Sequence, residues 1–258
     1  MRISLIGAGR VSHHLAQVLS QHHEIVQIYS REQSKANLLA ALVRARGICI
    51  LEQLDADIDL LILVVTDQAI ASVAEQVAEK MKNVLIVHTS GSTHIQGIQQ
   101  YHARAGVLYP LQTFSFESLI DWQQTPLFVE VAQELDLAVL SGIAHEISQR
   151  VYHYDSAQRL SLHLAAVFAC NFTNYCYDVA KQLVDAQQVD FNLLYPLILE
   201  TAKKATLNAP EKVQTGPAIR GDQNILNMHQ DMLAQAQRPE LSTLYALVSE
   251  QIVKRHRS

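Results

Sequence analysis

The feature that most constrains this 258-residue chain is Gly7-Ala8-Gly9-Arg10-Val11-Ser12, which comes directly after an apolar run at residues 3–6. Two glycines one residue apart, between a strand-like run and a helical pattern, fit the GxGxxG turn that opens a βαβ unit. The first glycine permits a tight bend and the second lets a diphosphate approach the backbone. Free amides and the helix dipole then hold its negative charge. Gly7, Gly9, Arg10 and Val11 are therefore the expected binding residues of this turn. Ser12 stands where a third glycine would be, so helix and strand are expected to pack more loosely there or in a shifted position.

The chain beyond the turn supports the same unit. Short β-branched runs at 25–29, 60–66 and 84–88 alternate with helical patterns at 13–20, 35–46 and 69–80. Each run is nearly all apolar, as in strands covered by helices on both faces. The βαβα order predicts a doubly wound parallel sheet. Residues 106–109 and 127–131 are expected as edge strands and 135–147 as a further helix. Beyond about Asp155 the strand pattern stops. Four helices are expected at 156–184, 191–207, 222–236 and 239–254, the last opened by a proline suited to a first turn. The expected fold is α/β, with a Rossmann doubly wound parallel sheet over 1–154 and an all-helical domain over 155–258.

The end of the second strand bears on which dinucleotide would bind. An NAD site usually places Asp or Glu there to accept hydrogen bonds from the ribose hydroxyls. This chain has Tyr29-Ser30-Arg31, with Lys35 one helical turn on. A hydroxyl and a guanidinium fork suit a 2′-phosphate, so Ser30, Arg31 and Lys35 favour NADP(H) over NAD(H). The competing reading makes Ser30 a helix start and Arg31 a solvated charge. Ligands lie outside the carboxyl ends of parallel strands, which places Thr66 and Ser90 beside the nicotinamide. Either could instead cap the helix after it, and for Ser92 capping is the expected role.

Composition removes several function classes. A net charge of -5 gives no general attraction for nucleic acid or anionic lipid. Three cysteines form no CxxC pair and fit a reducing compartment, so a cytoplasmic location is expected. The apolar start is too short for a signal peptide, and the uncharged stretch 160–177 carries Ser161, His163, Asn171, Thr173 and Asn174, which hydrocarbon penalises. No two of the twelve histidines stand three or four apart, so no metal is expected.

The GAGRV turn, His88-Thr89-Ser90-Gly91-Ser92, Tyr109-Pro110-Leu111-Gln112-Thr113-Phe114, Pro196-Leu197-Ile198-Leu199-Glu200-Thr201 and Thr215-Gly216-Pro217-Ala218-Ile219-Arg220-Gly221-Asp222 occur in one order along nearly the whole chain. With the 163–177 helix, they resemble the Rossmann-like proteins bearing a C-terminal domain of unknown function 2520. That family is similar in layout to pyrroline-5-carboxylate reductase and the 6-phosphogluconate dehydrogenase superfamily. The resemblance implies a homodimer formed by the helical domain and a reductase-like site; it does not supply a substrate.

Hydride transfer to a small carbonyl or imine needs a group that moves a proton. His163 and Asn174 are eleven residues apart and are expected to share a helix face, with Asn171 at its flank. His163 is a candidate general acid, and Asn171 or Asn174 a candidate to orient a substrate oxygen. A core histidine satisfied by a carbonyl is the competing reading. Arg220, in a loop shaped by Gly216, Pro217 and Gly221, suits a carboxylate or phosphate, or pairs with Asp222. Glu200, Lys203 and Lys204 read as a solvated face, and the YxxxK match of Tyr177 and Lys181 is discarded because it lies in the second domain. The expected function is an NADP(H)-dependent oxidoreductase acting on a small molecule. The alternative is a non-catalytic NADP(H)-binding sensor or scaffold.

Overall fold

The computed structural model describes residues 1–257 and divides into two compact units, Met1–Asn174 and Tyr175–Ser258. The first is built on an eight-stranded sheet in the order β3-β2-β1-β4-β5-β6-β7-β8. The strands are β1 Arg2–Ile6, β2 Glu24–Tyr29, β3 Arg46–Ile48, β4 Leu60–Leu63, β5 Leu85–His88, β6 Ala105–Pro110, β7 Leu127–Val131 and β8 Val151–His153. All neighbouring pairs are parallel except β6 with β7. Helices α1 Arg10–Leu19, α2 Gln33–Leu42, α3 Asp67–Ala78, α4 Gln96–Gln99 and α5 Leu137–Ile147 complete the layers.

The apolar runs are explained by what covers them. Ile3, Leu5, Leu60, Ile62 and Val87 pack with Leu15, Leu19 and Leu39 on one face, while Leu61, Leu63, Ile86 and Val107 pack with Ile70, Ala74 and Val77 on the other. Burying each such side chain contributes about 1.5–3 kcal/mol, so alternation with polar residues would forfeit half the core. The strand order reverses between β1 and β4. There the carboxyl ends of the strands part and leave a crevice.

Several expectations need correction. Strands β6 and β7 are not edges: β8 pairs beyond β7, and all six residues of β6 are buried. Neither β3 nor β8 is legible in the sequence, since each has three residues and β8 buries none of them fully, too few to print a period. Strand β4 ends at Leu63, after which Val64 to Thr66 leave the sheet and Thr66 precedes α3.

The single long helix expected at 156–184 is interrupted. Helix α6 Ser156–Ala166 passes through a π-helical segment, Val167–Phe172, before α7 Thr173–Asp185. Thr173 Oγ1 donates to the Phe168 carbonyl at 3.2 Å. A π turn holds one residue more than an α turn and so rotates the helix beyond it by about 100°. His163 and Asn174 therefore do not share a face.

The second unit takes in most of α7 and the helices α8 Tyr195–Leu207, α9 Pro217–Arg220, α10 Gln223–Gln235 and α11 Pro239–Arg257. Asp222 accepts from the Ile225 amide at 3.3 Å and caps α10, and His229 Nδ1 lies 2.9 Å from Tyr245 Oη across α10 and α11. Lys204 pairs with Glu200 at 3.3 Å along α8, as a solvated face should. Lys181 pairs with Asp185 at 2.5 Å. Among the described residues no helix is long and apolar enough to cross a membrane.

Candidate functional site

The turn after β1 is held open by its own backbone. Gly7 has φ +122°, and a Cβ there would lie 2.0 Å from the Val64 carbonyl oxygen, so no other residue fits. Its amide donates to the Tyr29 carbonyl at 2.8 Å. Ser12, fully buried, donates its hydroxyl to the Gly7 carbonyl at 2.6 Å. The residue in the third glycine's place thus ties the helix back to the turn, where the sequence pattern predicts looser packing. Gly9 differs from Gly7: its φ is -88°, and a Cβ built on it meets nothing within 4 Å. No side chain caps α1, leaving its first amides and dipole facing that space.

That space opens into a cavity of about 1280 Å³ along the carboxyl ends of β1, β2, β4 and β5. At the β2 end Ser30, Arg31, Glu32 and Lys35 line it beside the aliphatic side chains of Leu38, Leu42, Leu51 and Val73. Lys35 Nζ pairs with Glu32 at 2.7 Å, and Ser30 Oγ accepts from the Glu32 amide at 3.3 Å. Arg31 is exposed and has no ion pair among the described residues, so its guanidinium can turn to a ligand.

At the opposite end Thr66, Asp67, Ser90, Gly91, Tyr109 and His163 line the cavity. Tyr109 Oη lies 3.2 Å from His163 Nδ1, the rings meeting edge to face. Burial pushes the Tyr109 hydroxyl up to about 12, so it is protonated at neutral pH. Which of the two donates depends on the imidazole tautomer. Gly91 makes the pair possible, because a Cβ there would lie 2.6 Å from both His163 Nδ1 and Tyr109 Cζ. Ser90 Oγ accepts from the amides of Ser92 at 3.1 Å and Thr93 at 2.9 Å, which braces the loop. Ser92 does not cap a helix as expected; its hydroxyl donates to Asp67 Oδ2.

A buried polar network seats α6 against this loop. Arg159, 1% exposed, pairs with Glu130 of β7 and donates to the Thr93 carbonyl at 2.6 Å. Ser156 Oγ donates to Glu130 at 2.8 Å and accepts from the Ile95 amide at 3.0 Å. Arg159 and Ser156 occupy the first turn of α6, and His163 lies four residues past Arg159 on the same side of the helix. The network therefore aligns His163 with Tyr109. Beneath the loop, His88 is fully buried and accepts from the Ser90 amide at 3.1 Å through Nδ1. Burial, with help from Arg159, drives its pKa down to about 3.

Residues 1–113 match the Rossmann-like domain family, and residues 125–252 match the domain of unknown function DUF2520. A protein of Bacteroides fragilis, provisionally assigned as an NADP oxidoreductase, is 40% identical over 98% of both chains, with a TM-score of 0.92. This chain belongs to the Rossmann-like proteins with a DUF2520 domain. An imine reductase from Myxococcus stipitatus, solved with NADP+, is 14% identical with a TM-score of 0.72, over 99% of this chain and 95% of its own. A pyrroline-5-carboxylate reductase from Coxiella burnetii is 12% identical with a TM-score of 0.58, over 99% and 97%. These two share the fold. No match to a curated protein was found.

In this family member the cavity brings together Gly7, Gly9, Arg10, Val11, Ser30, Arg31, Lys35, Thr66, Ser90 and His163 of the residues expected from sequence. Asn171 and Asn174 are exposed and do not line it, because the π-helical segment rotates the helix beyond residue 167. Arg220 is exposed in the second unit and makes no ion pair with Asp222 among the described residues. Sequence reasoning puts Asp67 and Gly91 on the strand tips that line the crevice without giving them a role, and misses Tyr109, Glu130 and Arg159. Only Tyr109 leaves a signal, as a polar-tipped residue near the carboxyl end of an otherwise apolar strand.

Proposed function

We propose that this protein is an NADP(H)-dependent oxidoreductase that reduces a small carbonyl or imine compound, with Tyr109 and His163 moving the proton. The supporting observation is that one cavity joins an uncapped helix N-terminus and the open space over Gly9 to Arg31, which has no ion pair among the described residues, at one end and the Tyr109–His163 pair at the other. The residues fit the cofactor. The α1 amides take the diphosphate, Arg31 with Ser30 takes the 2′-phosphate, and the leucines beside them cover the adenine. When bound, the nicotinamide supplies the hydride. Tyr109, kept protonated by burial, holds or relays a proton through His163 to the acceptor atom.

The NADP oxidoreductase assignment of the Bacteroides fragilis protein and the bound NADP+ of the imine reductase point the same way. We further infer a homodimer. Leu160, Leu164, Phe168 and Phe172 are each about half exposed or more, an apolar surface that a second copy would cover. Mass measurement in solution checks this, and a monomer would refute it.

The activity is tested by following NADPH oxidation with a panel of cyclic imines, aldehydes and keto acids. Tyr109→Phe and His163→Ala should each lower kcat by about 10²–10⁴-fold while leaving NADPH affinity intact. Turnover unaffected by both substitutions would remove the assignment, and no turnover with bound NADPH would leave a binding protein.

A further inference from the structure

The charges along the cavity are segregated. Arg10, Arg31 and Lys35 line the parts assigned to the phosphates, with Glu32 neutralising Lys35. Among the described residues that line the Tyr109–His163 end, Asp67 is the one carboxylate, and none is a lysine or arginine. Arg159 lies near and its charge bears on Tyr109, but it is 1% exposed, does not line the cavity, and its two terminal NH2 groups are engaged by Glu130, Thr93 and Ser156. An acid in the first turn of α3 is a favourable place for its own helix. What the helix does not require is the Ser92 hydroxyl, on the separate loop after β5, donating to Oδ2 and so turning the carboxylate toward that loop. No hydrogen bond from the described residues reaches Oδ1.

We infer that Asp67 is a specificity-determining residue that selects a substrate with a cationic nitrogen at the reacting end, a protonated imine, over keto acids and other anionic carbonyl compounds. The inference rests on the oxidoreductase reading above and names its substrate class. A carboxylate-bearing substrate would meet Asp67 with no cation of this lining to offset it, whereas an iminium gains a charge-assisted partner once the cleft excludes water. The chemistry balances. The iminium carbon accepts a hydride from the reduced nicotinamide, the C=N π pair passes to nitrogen, and the products are the neutral amine and the oxidised nicotinamide. Beforehand, a neutral imine takes its proton from the Tyr109–His163 pair, which is reprotonated from solvent.

The test compares wild type with Asp67→Asn, a substitution of equal size that retains an acceptor for Ser92. Calorimetry first gives NADPH and NADP+ affinities of both proteins. Pyrrolidinium is then titrated into each NADP+ complex, and a five-membered cyclic imine, its carboxylated counterpart and a keto acid of similar size are compared as substrates with NADPH. The expected result is unchanged cofactor affinity, about a tenfold loss of pyrrolidinium affinity in Asp67→Asn, and preference of the wild type for the imine that carries no carboxylate, reduced by the same factor in the variant. Preference of wild type for the carboxylated compounds overturns the inference. So does equal pyrrolidinium binding by the two proteins, or an Asp67→Asn defect confined to the cofactor. Absence of NADPH binding by wild type would be a different failure, that of the oxidoreductase reading itself.

Discussion

Gly7 and Gly9 belong to one turn, yet the geometry predicts opposite consequences for replacing them. In Gly7→Ala the new methyl would sit 2.0 Å from the Val64 carbonyl oxygen and 2.8 Å from its carbon, at a φ of +122°. Forced backbone strain costs about 1–3 kcal/mol and overpacking a similar amount, together about 4 kcal/mol. For a chain of this size that lowers Tm by about 10 °C. In Gly9→Ala the backbone is already extended at φ -88° and the methyl meets nothing within 4 Å. Restricting the unfolded chain should then raise stability by about 0.4–1 kcal/mol. The same methyl projects over the uncapped start of α1, where the diphosphate is assigned, and should weaken NADPH binding by more than about tenfold, the equivalent of about 1.4 kcal/mol. Thermal unfolding and a fluorescence titration of NADPH on the two variants read both effects. Gly9→Ala binding NADPH as tightly as wild type, or unfolding as early as Gly7→Ala, would refute the reasoning.

Three further outcomes are expected. Arg31→Ala should lose about 10–100-fold in NADPH affinity, the worth of charge-assisted hydrogen bonds, with NADH affinity little changed; equal losses for both would show that Arg31 does not read the 2′-phosphate. Glu130→Gln leaves the Arg159 guanidinium buried without its countercharge and should cost about 3–5 kcal/mol in urea unfolding, whereas an unaltered midpoint would show that the network does not hold α6. His88 is neutral in the fold because burial lowers its pKa from 6.5 to about 3, so its contribution is complete above pH 6.5 and is lost as pH falls toward 3. From pH 7.5 to 5.5 wild type should lose about 1.4 kcal/mol more than His88→Gln, and parallel pH dependences would contradict the assignment.

Local chemistry is readable in the sequence and long-range pairing is not. The Gly7 to Ser12 turn, the Tyr29-Ser30-Arg31 strand end and the buried parallel strands each announce themselves within a few residues, because backbone conformation and burial act at that range. Glu32 is equally local, and its pairing with Lys35 leaves Arg31 as the free cation of the β2 end among the described residues. The Tyr109–His163 contact joins residues 54 apart, and Arg159 meets Glu130 across 29, spans over which no periodicity carries information. Past α6 the difficulty is one of register. The π-helical segment adds a residue to a turn without any glycine or proline to mark it, so counting by 3.6 groups Asn174 with His163 when only His163 reaches the cavity.

The central claim is that this cavity holds NADP(H). Calorimetric titration of purified protein with NADPH, and with NADH in parallel, tests it most directly. The account predicts one site per chain with NADPH bound at least about tenfold more tightly than NADH. No detectable binding of either coenzyme at millimolar concentration, by protein that unfolds cooperatively, would contradict it.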